Sequence, residues 1–370
     1  MMGDKQIQKA GEGSQQIQAN QIIINQGITE ERARQIVDEK IQEVVQKYSL
    51  EAHDVAEERI QIFSNELIPR LVRENLTDSL KDPSVQMMLL EAEKTAVGAE
   101  RESDYELLSE LLIHRVKKGA DYTIKAGVNQ AVKIVDEISD EALLALTVAH
   151  VVENFIPDAM KIEDGLKMMD DLFSKITNEE LPNDRGWLDH LDVLNAVRLN
   201  AYGSLKKISL FYSETMAGYV DVGFEKDSEE HKRAIEILKA VGMPLDILVD
   251  HELREGYLRL GIVRRDKFDL LTLKRKVNLN GLIIKIPLDM QLTEQQKQAL
   301  SDIYDMYEKD ESKHKENIQK FSEMINRYES LKKVQLWWDA IQGSFSITSV
   351  GIALAQANAK RCDPRLPDLD

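Results

Sequence analysis

Side chains able to do chemistry are scattered along this chain rather than gathered into one motif. Its seven histidines are His53, His114, His150, His190, His231, His251 and His314, and no two stand four residues apart. "HELREG" from His251 begins like a zinc-hydrolase helix, in which two histidines one turn apart share a metal. Glu255 occupies the place of the second, so the signature fails. Asp246, Asp250, His251 and Glu252 still offer oxygen and nitrogen ligands to a divalent cation that could activate water. Asp170-Asp171 is a second acidic pair of this kind, and solvated helix faces are the competing explanation for both. His114 in "ELLIHRV" and His150 in "LTVAHVV" are ringed by aliphatics and read as core or interface histidines.

Nucleophiles and phosphate cradles fare no better. There is no G-x-S-x-G elbow, and Cys362 lies in a tail with no base placed beside it. Neither G-x-x-x-x-G-K-[ST] nor G-x-G-x-x-G occurs. One basic island, "VRRDKFDLLTLKRKVNLN", carries Arg264, Arg265, Lys274, Arg275 and Lys276. These could meet an anion or an acidic partner, or serve as counter-charge within the chain.

Composition narrows the classes further. With 370 residues, two or three folded units are expected at ~100–200 residues each. A formal charge of -17 repels phosphate backbones and disfavours nucleic acid as a partner. A single cysteine rules out a disulfide framework within one chain and suits a reducing cytosol. The start, "MMGDKQIQKAGEGS", has no apolar signal-peptide run, and no stretch reaches the ~20 apolar residues of a spanning helix. The expectation is a cytoplasmic protein that needs no cofactor.

The elements that must position these residues are mainly helical. Residues 1–27 are the exception: "QIQKA" recurs as "QIQAN", glycines punctuate the run, and Ile17, Ile22 and Ile24 supply its apolar points. Such a ribbon resembles the rungs of a β-solenoid or β-prism, which a short segment completes only by pairing with copies of itself. A disordered polar tail is the alternative. Thr29 can cap a helix over 28–50, where Val37, Ile41, Val44 and Tyr48 follow the 4-3-4 spacing of a coiled-coil seam. From 51 to 203 a helical domain follows. One of its helices carries Phe63, Leu67 and Leu71 with Pro69 as a kink, and Ser103 and Ser139 are candidate caps. Residues 204–291 mix helices with β-branched runs around Asn280-Gly281, so a small β element is expected near 259–290. "PLDILVDHELREGYLRLG" within it reads as helix. Residues 292–341 read as one long helix or a helical pair. The last segment, 342–370, reads as a strand at Phe345 and Ile347 entering a helix capped by Thr348. Gly351, Ala355 and Ala359 give that helix a small-residue face suited to close packing or, after some trigger, to a membrane.

Three stretches together resemble a poorly characterised family of bacterial proteins: "GEGSQQIQANQIIINQGIT", "YELLSELLIHRVKKG" with the run to "LTVAHVV", and "FSITSVGIALAQANAKR". The last fits a terminal I/L-T-x-V-G-I-A motif at Thr348 to Ala353 and is loosely similar to alpha-type abortive-infection proteins. The resemblance implies a bacterial cytosolic protein with a role in phage defence or stress, and carries no catalytic residue to transfer. Where that family often places a histidine, this chain has Gln356.

The sequence therefore predicts a mainly α protein with a β ribbon at its start, assembling with itself as a scaffold or sensor. Three copies are expected, with a phage or other protein as further partner. A metal-dependent hydrolase at Asp246, Asp250, His251 and Glu252, and a membrane-active effector acting through the last helix, are the rival readings.

Overall fold

The computed structural model describes residues 30–118, 121–200, 202–270, 274–279, 282–287 and 292–366. The expected β head with Ile17, Ile22 and Ile24, the Thr29 cap and the Asn280-Gly281 turn lie outside the described residues. The chain forms two compact units, Met1–Glu58 and Arg59–Asp370. What is described of the first is the opening of α1 (Glu30–Arg73), a helix that continues past residue 50 and through Pro69.

The second unit contains α2 (Pro83–Gly98), α3 (Glu102–Lys117), α4 (Tyr122–Val132), α5 (Asp140–Asn154), α6 (Ile162–Ile176) and α7 (Gly186–Val193). Strand β1 (Val197–Asn200) precedes α8 (Ile208–Thr215), α9 (Ala217–Val220), β2 (Phe224–Glu225) and α10 (Glu229–Ala240). Then come β3 (Leu248–Asp250), β4 (Tyr257–Leu260), β5 (Lys274–Leu279) and β6 (Leu282–Pro287). The chain closes with α11 (Glu294–Asp305), α12 (Glu311–Ile325), α13 (Glu329–Ala340), β7 (Ser344–Ile347) and α14 (Ser349–Cys362). The fold is mainly α, as the periodicity predicts, with short antiparallel pairs β1-β7, β2-β4-β3 and β5-β6.

Several elements depart from the sequence reading. "PLDILVDHELREGYLRLG" is not a helix but a 3-10 turn followed by the β3-β4 hairpin. Gly256, at φ +79°, supplies the left-handed turn that a helix could not hold. Residues 292–341 form three helices, although no Gly or Pro separates α11 from α12. Asp310 makes that break by accepting the Ser312 and Lys313 N–H groups as N-cap of α12. Ser103 does not cap α3, which opens at Glu102. Arg101 stands at that N-cap position, paired with Asp104 and Asp140 and donating to the Val135 and Ile138 carbonyls. Ser139 does cap α5, accepting from the Ala142 N–H.

Two hydrophobic clusters form in the second unit. The larger gathers apolar faces from α2 to α7, α13 and α14, with Leu108, Leu111, Val128, Leu146 and Phe173 among its fully buried members. The smaller joins the β2-β4-β3 sheet to α10 and α11 through Phe224, Leu238, Leu260, Leu300 and Ile303. Helix α14 is the centre of the larger one, lying against α3, α4 and α5. Its Ala353, Leu354, Ala355, Ala357 and Ala359 are all buried, so the small-residue face predicted for it meets protein. Thr348 caps it through the Gly351 N–H and also donates to the Asn195 carbonyl.

Two glycines set how closely α14 can approach. A Cβ on Gly351 would stand 2.1 Å from the Ala196 carbonyl oxygen, and one on Gly127 would stand 2.6 Å from that of Ser349. Both neighbours are backbone and cannot swing aside. Gly351→Ala is expected to lower the free energy of unfolding by about 1–3 kcal/mol in a urea titration. An unchanged midpoint would show that α14 has slack at this crossing.

Candidate functional site

The residues predicted for assembly lie on α1. Ile41, Val44 and Tyr48 are solvent-exposed, and so are Val45 and Val55. Val37 belongs to the same helix. These are large apolar groups on an open helix face, with charged i,i+4 neighbours such as Lys47 and Glu51 beside them.

The rival metal cluster does not assemble. Asp250 is largely exposed and pairs with Lys226 at 3.5 Å, while Asp246 sits on the preceding 3-10 turn. The His251 ring is buried, donating from Nε2 to the Asp221 carbonyl at 2.8 Å and accepting the Leu253 N–H at Nδ1. Both ring nitrogens are therefore occupied. Glu252 turns toward the start of α6, where its carboxylate accepts the Ile162 and Glu163 N–H groups and pairs with Arg259 at 2.9 Å. Among the described residues no three His, Cys, Asp or Glu side chains converge on a common point. Asp170 and Asp171 also separate: Asp170 accepts the Ser330 N–H at the start of α13, and Asp171 pairs with Lys175 and Arg365.

Arg259, which no sequence pattern singles out, is the hub of this region. It is fully buried, with its guanidinium donating to the Leu260 and Met160 carbonyls and lying over the Tyr219 ring, 5.2 Å from its centre. Tyr219 in turn donates to the Ala159 carbonyl. One cation thus ties together the segment before α6, helix α9 and strand β4.

The basic island is divided as well. Arg264 forms a two-pronged pair with Asp266. Arg265 reaches Asp305 and Ser301 and lies over the Tyr304 ring. These two serve as counter-charges within the chain. Lys274, Arg275 and Lys276 stand consecutively on β5, opposite Pro287, Ile286 and Lys285 of β6.

The sequence gives no sign of the groove of about 850 Å³ bounded by α4, α5, α6 and α14. Ile124, Phe155, Met168, Met169, Leu172 and Ile352 make its apolar walls. At its inner edge His150 donates from Nε2 to Gln356 Oε1 at 3.0 Å, while Asn154 Nδ2 donates to His150 Nδ1 at 3.1 Å. Burial holds the imidazole below its ordinary pKa, and the Gln356 bond opposes this only in part, so the ring is neutral. At the rim Asp171, Lys175, Asp363 and Arg365 form a closed ion-pair network that anchors the turn after α14. The Arg365 and Lys175 cations hold the Asp363 carboxyl well below the usual carboxylate range. The arrangement can receive a small apolar body and offers it neutral polar groups, but it presents no nucleophile with a base.

Comparison with known proteins adds a family and no activity. A family model of uncharacterised type matches residues 27–367, and the chain belongs to that family. Nothing in the match links it to abortive infection. No curated protein and no solved structure matches the chain. Among the described residues no helix is long and apolar enough to cross a membrane, and burial of α14 leaves the membrane-active reading without an exposed apolar helix there.

Two outcomes follow from the buried groups. Arg259→Met removes the cation paired with Glu252 and frees the Gly218, Leu260 and Met160 carbonyls, so it is expected to cost about 3–5 kcal/mol in denaturant unfolding; a loss below about 1 kcal/mol would refute the hub. For His251, burial lowers the pKa from 6.5 to about 4. The unfolded chain then takes up a proton between those values that the folded chain refuses, so stability falls as pH drops from about 6.5 to about 4. His251→Gln lacks that penalty. Its deficit relative to wild type is expected to narrow over this window, and a constant gap would overturn the assignment.

Proposed function

Taking membership of that uncharacterised family as premise, we propose that the protein is a cytosolic scaffold or sensor that associates with itself through α1. The exposed face of α1 carries this reading. Ile41, Val44, Val45, Tyr48, Ala52 and Val55 all lie within about a third of the helix circumference at ~100° per residue. Ile41 is 54% exposed, Tyr48 64% and Val55 46%. Ile41, Tyr48 and Val55 repeat every seven residues, the period of a coiled-coil stripe, with Val44 and Ala52 beside them on the same face. Burying each such side chain against another chain contributes about 1.5–3 kcal/mol, and isolated helices of this kind are marginal in water.

Several copies joined at α1 would present their helical bodies together. That raises the effective concentration against a repeated target. On the likeness of the terminal motif to abortive-infection proteins, the target would be a repeated viral structural protein. A metal-dependent hydrolase fits less well, because Asp250, His251 and Glu252 are engaged with other parts of the fold.

Light scattering on the full chain is expected to give a multiple of the 42.2 kDa monomer mass, three on the sequence reading. The Ile41→Asp, Tyr48→Asp double variant is expected to give the monomer mass with unchanged helicity. A monomeric wild type, or a variant that stays assembled, would sink the proposal. The same variant, compared with wild type in phage plating, reads out whether defence depends on assembly.

A further inference from the structure

The groove beside His150 lies outside the self-association reading and does not depend on it. We propose that it binds a neutral small amphiphile: a hydrocarbon chain ending in a hydrogen-bond donor, a primary amide or an alcohol.

Size and lining set the class. At about 850 Å³ the groove falls in the range of small-molecule sites. Its walls are aliphatic, aromatic and thioether, and Met168 stands half exposed at its edge although it is a large apolar group. Two adjacent methionines give a wall that adapts to a flexible chain.

Charge excludes ionic ligands. Lys175 and Arg365 each already contact both Asp171 and Asp363, so neither cation is left for an incoming carboxylate or phosphate. Asp171 and Asp363 are matched by the two cations, and Asp158, the third acid of the lining, is already engaged within the chain, so an ammonium group gains little. The inner edge is neutral, since His150 is held uncharged.

Hydrogen bonding selects the head group. Asn154 Nδ2 donates to the His150 carbonyl and to His150 Nδ1, which fixes the direction in which its carboxamide faces. Its oxygen accepts no hydrogen bond among the described residues. Asn154 is exposed and lines the groove, so the group offered to a ligand there is an acceptor. An acceptor calls for a donor on the ligand. An amide N–H or a hydroxyl meets this need; an ester has no donor, and a carboxylate would oppose it.

The test uses the full chain and four probes of equal chain length: octanamide, 1-octanol, methyl octanoate and octanoate. Isothermal titration is expected to show saturable binding of octanamide and 1-octanol, with the ester and the acid weaker by about tenfold or more. Met168→Asp should abolish binding of all four. Asn154→Leu should keep binding of the ester and erase the preference for donor heads. Both positions are solvent-exposed, and circular dichroism verifies that the variants fold. No saturable binding, equal affinity for octanoate, or an unaffected Met168→Asp variant would overturn the site. A donor preference that survives in Asn154→Leu would overturn the assigned contact.

Discussion

Helix α14 reaches the middle of the larger cluster only because its inward residues are small. Gly351 brings its first turn against the Ala196 carbonyl, and Gly127 lets α4 slide past Ser349. The four buried alanines Ala353, Ala355, Ala357 and Ala359 keep backbones close along the rest of the helix. Each close approach increases the dispersion contacts made along the helix, and interiors of this density cannot absorb an added methyl without moving backbone. The other helices of the cluster are arranged around this contact. Strand β7 hands the chain to α14 at Thr348, and its pairing with β1 fixes where that handover occurs.

Long-range acids hold three further helix starts. Helices α6, α8 and α13 have no capping side chain at their own N-cap positions. Their first N–H groups are met instead by Glu252, Asp339 and Asp170, which come from distant parts of the chain. A carboxylate at a helix N-terminus satisfies orphan donors and opposes the dipole. Each such bond therefore also specifies a tertiary contact. The same economy governs Arg259, whose charge is balanced by Glu252 while Glu252 caps α6. Carboxylates that looked like metal ligands in the sequence are, in the folded chain, the fasteners between elements.

The two surfaces with functional promise differ in kind. The stripe on α1 is a set of exposed apolar side chains on a helix, and the proposed self-association would cover it. The groove beside His150 is concave and mostly apolar, with an ion-pair network at its rim and His150 hydrogen-bonded to Gln356 and Asn154 at its inner edge. Neither proposal requires the other.

Much of the architecture was legible from residue order. Thr348 and Ser139 announce their helices because a cap acts within three residues. The helical class follows from apolar spacing over Phe63, Leu67 and Leu71 and its counterparts downstream. The β3-β4 hairpin was hidden in "PLDILVDHELREGYLRLG", because its strands are too short for a period to show against the helical composition around them. Strand β1 was hidden for the same reason and exists by pairing with β7, almost 150 residues away. The groove and the Arg259 hub lay beyond any local pattern. Their residues come from α4, α5, α6, α9, β4 and α14, and only packing brings those elements together. What the sequence alone determined was where the locally capped helices begin and which faces are apolar, since those depend on neighbours one turn away. Which carboxylate caps which helix, and which wall is left open to a ligand, depends on distances that only the tertiary structure sets.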